Sequence, residues 1–119
     1  TLYENGKGVI QNVSKAATFY KLACDKGHTT ACNDLAVKYM TGKGVLQDYT
    51  KASVLFKKTC DDGISDACIS YGMMNLEGKG MTKNYTIAKK MFKKACSLDN
   101  SRGCLLYLNL KQKENGVIK

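Results

Sequence analysis

Apolar positions recur along the chain at the spacing of a helix face. They run Ala16, Phe19, Tyr20 and Ala23, then Ala52, Leu55 and Phe56 with Thr59 in the fourth place, then Ala88, Met91, Phe92 and Ala95. Steps of three and four residues keep one side of a helix apolar, whereas a strand would need strict alternation. This predicts three helices of about 12 residues, here called B helices. Asn12, Asp48 and Asn84 stand ahead of them. Each offers a side-chain oxygen to the free N–H groups of a first turn. Short turns follow the B helices: Asp25-Lys26-Gly27, Asp61-Asp62-Gly63 and Leu98-Asp99-Asn100. Gly27 and Gly63 suit the left-handed conformation that ends helices. A second set, the A helices, is predicted to open at a cysteine. The first runs from Cys32 to Thr41, with Leu35, Ala36 and Tyr39 facing the core. A turn with two glycines closes it.

The pattern is a repeat with a period of 36 residues. Cys24 and Cys32 recur as Cys60 and Cys68, then as Cys96 and Cys104. Gly6-Lys7-Gly8-Val9 recurs as Gly42-Lys43-Gly44-Val45 and Gly78-Lys79-Gly80-Met81. Lys21, Lys57 and Lys93 are in register, as are Leu35, Tyr71 and Tyr107. Two short amphipathic helices cannot bury their faces alone, but stacked copies can. The expected fold is therefore all-α, a right-handed solenoid of two-helix repeats. One domain is expected over residues 1–119. Residues 1–11 form the tail of a truncated first repeat; 12–44, 48–80 and 84–112 form B–A units; and 113–119 form a polar tail. No Gly-Lys-Gly follows the last A helix, and Lys111 and Lys113 suit an exposed terminal cap.

Composition agrees with a folded helical chain. Of 119 residues 44% are hydrophobic and 24% charged, and proline and tryptophan are absent. No apolar run reaches the roughly 20 residues of a membrane-spanning helix. The chain does not begin with methionine, which fits a removed signal or a piece of something longer. Six cysteines in so short a chain suggest a disulfide framework and an oxidising compartment. Joining the neighbours eight apart uses all six. Joining Cys32 to Cys60 and Cys68 to Cys96 leaves Cys24 and Cys104 over, so the first pairing is favoured. It is sterically feasible between antiparallel helices joined by a tight loop. No C-x-x-C occurs, and His28 is the one histidine, so neither a zinc site nor thiol redox catalysis is expected. No metal or cofactor is assigned.

The string Cys32-Asn33-Asp34-Leu35-Ala36-Val37-Lys38-Tyr39, Gly42-Lys43-Gly44-Val45, Asp48-Tyr49-Thr50-Lys51-Ala52 and Lys58-Thr59-Cys60 resembles the Sel1-like repeat (SLR) family. That family is related to tetratricopeptide repeats. The cysteine pair resembles its cysteine-rich branch, the Helicobacter cysteine-rich proteins. Asn75 and Lys111 depart from the pattern in replacing the A-helix tyrosine, and Ile87 in replacing a lysine. Looser packing is expected there. The resemblance implies an α-solenoid, one disulfide per repeat, a secreted or periplasmic bacterial address and a role in binding proteins or peptides. Some relatives carry a penicillin-binding or β-lactamase label.

The residues give that label little support. A serine β-lactamase needs S-x-x-K, which is absent. Thr18 with Lys21 and Thr86 with Lys89 have the spacing, on B helices. Lys58-Thr59-Cys60 lacks the glycine of K-T-G, and Ser65-Asp66-Ala67 lacks the asparagine of S-D-N. No catalytic residue is assigned. His28 reads as a solvent-exposed loop residue.

Binding has more physical support. By the tetratricopeptide resemblance, A helices line a concave face. Asn33, Val37, Met40 and Thr41 then face the groove, with Ile69, Met73, Leu76 and Glu77, and with Leu105, Asn109, Gln112 and Lys113. Met40, Met73 and Leu76 could equally pack between repeats. Of these positions Asn33, Val37, Met40, Ile69, Met73, Leu76 and Asn109 are taken as the binding set. The formal charge is +9, and every basic residue but Arg102 is lysine. Base and phosphate recognition favours the arginine fork, so no nucleic-acid partner is expected. The lysines read as a solvated convex face that could also attract acidic partners or cell-wall fragments. The expected function is capture of a protein or peptide. A penicillin-interacting hydrolase and a scaffold piece of a larger exported assembly are the alternatives.

Overall fold

The computed structural model describes the backbone of residues 7–114 and the side chains of residues 15–114. Residues 1–6 and 115–119, to which a helix tail and part of a polar tail are assigned above, lie outside the described residues. Among the described residues there are six helices and no strand: α1 (Lys7–Asp25), α2 (Thr29–Thr41), α3 (Tyr49–Asp61), α4 (Ser65–Glu77), α5 (Tyr85–Ser97) and α6 (Ser101–Glu114). They form three B–A hairpins. The chain divides into two compact units, Thr1–Leu55 and Phe56–Lys119, the division falling within α3.

Each hairpin closes through the same short loop. The N–H of Gly27 donates to the carbonyl of Cys24, and that of His28 to Ala23. Gly63 and Ile64 repeat the pair on Cys60 and Thr59, and Asp99 and Asn100 on Cys96 and Ala95. These are the two bonds of a left-handed helix end, and they satisfy carbonyls that the helix itself leaves open. Gly27 (φ 94°) and Gly63 (φ 101°) take the left-handed place, and Asp99 takes it with φ 66° in the third copy. The loop aligns the two cysteines. Cys24–Cys32, Cys60–Cys68 and Cys96–Cys104 are bonded, with Cα atoms 4.6, 4.6 and 4.4 Å apart. The pairing that leaves no cysteine over is the one formed. Each closes a loop of nine residues, for roughly 2–3 kcal/mol apiece in the chain-entropy description.

The A helices begin at Thr29, Ser65 and Ser101, three residues before the second cysteine and not at it. The cause is the loop, because the residue after the left-handed position already serves as N-cap. His28 and Ile64 do so with extended backbone and no side-chain bond. Asn100 accepts from the N–H groups of Arg102 and Gly103 through its Oδ1. Asp48 and Asn84 cap as expected, accepting from Lys51 and Ile87 at 3.0 and 2.9 Å. Their own N–H groups reach back to the carbonyls of Tyr39 and Asn75. Asn12 is different: α1 is already helical from Lys7, so Asn12 lies inside it. Its side chain is outside the described residues, as is residue 3, where the matching carbonyl would stand.

In the first unit Cys24, Cys32 and Leu35 are buried together, with Tyr20, Tyr39 and Leu55 packed against them. Phe19, expected in the core, is 66% exposed. Leu55, one repeat later, finds cover on that cluster, whereas no described helix precedes α1. In the second unit α4 packs on α5 and α5 on α6. Phe56, Met74, Ala88, Phe92 and Ala95 are buried there. Gly72 makes room for an aromatic ring: a Cβ at this position would stand 2.7 Å from Cε1 of Phe92. Gly103 brings α6 equally close to α5, since its Cβ would meet that of Ala95 at 2.6 Å. Asn75 does not loosen its repeat. It is 2% exposed, and its amide nitrogen donates to the carbonyl of Tyr71.

Candidate functional site

The groove residues read from the sequence fall into distinct environments. Val37 and Asn109 are exposed, while Met40, Met73 and Leu76 are half-buried. Ile69 is 2% exposed, so it packs and offers no surface. Asn33 is half-buried, with an Oδ1 that lacks a hydrogen-bond partner. Thr41 returns its hydroxyl to the carbonyl of Val37, and Glu77 pairs with Lys79 at 3.6 Å. Leu105 is 64% exposed on α6, with Gln112 and Lys113 also exposed.

Within the second unit, the ends of α4 and α6 and the start of α5 enclose a cavity of about 430 Å³. Leu76, Tyr85, Lys89, Leu110, Lys113 and Glu114 line it. That volume lies within the range of ligand clefts, about 300–1,000 Å³. The side chains arrive there for local reasons. The Asn84 cap starts α5, which places Tyr85 at the mouth and Lys89 one turn further in. Because α6 runs on to Glu114 without a glycine turn, its last turn reaches the same place. Lys89 Nζ then donates to Glu114 Oε1 at 2.6 Å, joining α5 to α6. The hydrogen bond to Glu114 holds the Lys89 ammonium above the usual lysine range, with desolvation opposing. At the K-T-G-like place, Thr59 is fully buried and bonded to the carbonyl of Phe56. Leu76 and Lys113 were foreseen as groove residues. Tyr85, Lys89, Leu110 and Glu114 were not, although Tyr49 and Tyr85 stand in register and could have drawn notice.

A second concavity, in the first unit, is lined by Phe19, Tyr20, Leu22, Ala23, Lys26, His28, Thr30, Ala31 and Asp34. Two repeat periods relate Tyr20 and Ala23 of its lining to a helix-packing face. Phe92 and Ala95, the counterparts of Tyr20 and Ala23 in α5, are fully buried. His28 is exposed, as expected. Among the described residues no three His, Cys, Asp or Glu gather as metal ligands, and no helix is long and apolar enough to cross a membrane.

The Sel1 repeat profile matches residues 1–28, 29–64 and 65–100. The chain belongs to the Sel1 repeat family. A Sel1 repeat so phased pairs an A helix with the B helix that follows it. Each disulfide therefore crosses a repeat boundary: Cys24 to Cys32 over 28/29, Cys60 to Cys68 over 64/65, and Cys96 to Cys104 over 100/101. The staples tie one Sel1 repeat to the next. Among curated proteins none matches the chain. Solved structures similar to it include the following three. One is a protective antigen present in uropathogenic Escherichia coli strains and displaying an SLR fold (33% identity, TM-score 0.76, 86% of this chain and 22% of that one). Another is a Sel1 repeat protein from Oxalobacter formigenes (27%, 0.83, 99% and 49%). The third is Helicobacter pylori cysteine rich protein B (28%, 0.70, 87% and 96%). The chain thus spans about a fifth of the first protein and about half of the second. The likeness bears out the all-α SLR solenoid as the fold class. Proteins of this family commonly serve as protein-interaction scaffolds.

Proposed function

We propose that this Sel1 repeat chain is a secreted or periplasmic module that captures a protein or peptide on the concave face of its A helices. The observation that carries the reading is the cavity at the ends of α4 and α6, whose lining combines the apolar Leu76 and Leu110 with the charged Lys89, Lys113 and Glu114. Half-buried Met73 and exposed Leu105 extend apolar surface along the same helices. Methionine adapts to varied partners, and apolar patches rimmed by polar groups mark interfaces. Three disulfides and the resemblance to the Helicobacter protein support the address outside the cytoplasm.

The test is capture from periplasmic extract and medium with the oxidised protein, comparing wild type with Leu76→Glu and Met73→Glu. Loss of a specific captured partner at unchanged Tm supports the reading. Loss of stability alone, with capture intact in the folded fraction, assigns both residues to packing between repeats and refutes it.

A further inference from the structure

The cavity between α4, α5 and α6 holds two lysines against one carboxylate, in a chain of formal charge +9. Its one carboxylate is already engaged. Glu114 comes from the last turn of α6 and meets Lys89 across 25 residues of sequence. The Glu114 side chain remains half-exposed, at 50%, and that of Lys89 is 30% exposed. Such a pair is open to exchange, because water and ions compete for both partners. Lys113 adds a second cation on the same lining. Beside these charges lie two leucines and the Tyr85 ring, which is itself 61% exposed. Apolar surface here is thus directly adjoined by positive charge, with an internal carboxylate standing where an external one would bind.

We infer that this cavity takes an acidic peptide segment. An aliphatic side chain rests on Leu76 and Leu110, and the neighbouring Glu or Asp carboxylate takes Lys89 and Lys113, displacing Glu114. The inference rests on the peptide-capture reading above and names the chemistry of its ligand. Charge complementarity selects the acidic peptide over a neutral one. The carboxylate's gain at Lys89 is offset by the loss of Glu114, so specificity comes mainly from the second lysine and the apolar seat.

The experiment is a chemical-shift titration of the oxidised, isotope-labelled protein with two capped peptides, acetyl-Ala-Leu-Glu-Ala-amide and acetyl-Ala-Leu-Gln-Ala-amide. The expected result is saturable movement of the amide signals of Leu76, Lys89 and Leu110, with the glutamate peptide bound more tightly. Glu114→Gln should tighten the glutamate peptide by about twofold to fivefold, the size of a half-exposed ion pair. Lys113→Gln should weaken it by a similar factor, and this exposed position tests the inference even if Lys89→Gln folds poorly. Equal affinity for the two peptides would overturn the acidic preference while leaving peptide capture standing. Movement away from the cavity, or none, would overturn the site. Movement of the same signals on concentrating the protein alone would assign the cavity to a second copy of the chain.

Discussion

Gly72→Ala sets two effects of known size against each other. Gly72 lies inside α4, where alanine is favoured over glycine by about 1 kcal/mol through backbone entropy. Against this stands Phe92. The new Cβ would meet Cε1 at 2.7 Å, Cδ1 at 3.0 Å and the Cβ of Met91 at 3.2 Å. The ring is fully buried, so it cannot swing aside without moving α5. Forcing a methyl into such packing costs about 1–3 kcal/mol. With the Cβ inside contact distance of two ring carbons, steric cost should win, leaving the variant less stable by up to about 2 kcal/mol after the propensity gain is subtracted. For a chain of this size that lowers Tm by up to roughly 10 °C. The measurement is thermal unfolding of the oxidised proteins followed by circular dichroism. Ala36, at the same place one repeat earlier, is fully buried, and Ala36→Gly should also destabilise, by about 1–2 kcal/mol from lost packing and lost propensity. A Tm that rises in Gly72→Ala would show that propensity outweighs contact, and would refute the claim that the ring depends on the glycine.

Graded reduction followed by alkylation and mass spectrometry should open Cys96–Cys104 first, because those cysteines are half-buried whereas Cys60 and Cys68 are fully buried; earlier loss of Cys60–Cys68 would contradict this. Gly63→Ala should cost about 1 kcal/mol from the left-handed backbone alone, since nothing stands within 4 Å of the added Cβ. Asp99→Gly, at the matching place, should be neutral to stabilising by up to about 1 kcal/mol. For the Asp61 carboxyl, burial pushes the pKa up, but hydrogen bonds and charges of Lys57 and Lys94 outweigh it and hold the pKa below 3.8. Its stabilising share is therefore present above pH 3.8 and is lost as pH falls through the folded-state value; Asp61→Asn should flatten that part of the acid limb in a pH series of Tm. Purified oxidised chain should not turn over nitrocefin, and turnover lost on Lys89→Gln would reinstate the hydrolase alternative.

Much of the fold was readable because its signals are local. Gly27 and Gly63 announced hairpin loops through their conformational freedom, and Asp48 and Asn84 announced helix starts through their short side chains. The cysteine register then named the bonds, since the loop that follows each B helix fixes where the next helix can lie. Other residues carried no such signal. Ile69 and Asn33 occupy the same repeat position, yet one packs fully and the other leaves an oxygen unsatisfied. Asn75 looked like a defect in a tyrosine position, but is buried with its amide bonded. Phe19 looked like core and is exposed, because an apolar stripe states which face seeks cover and not whether cover is present.

The candidate site shows the same division. Leu76 and Lys113 could be placed on A helices from the repeat alone. The meeting of Lys89 with Glu114, and the cavity they border with Leu110 and Tyr85, follows from how α4, α5 and α6 pack. By itself the sequence determined the 36-residue period, the helical hairpins, the left-handed loops and the staples. Each of these depends on interactions within a few residues or on an exact internal register. Only the tertiary structure decided which equivalent positions are buried and which charges meet, because burial and ion pairing depend on helices that are distant in the chain.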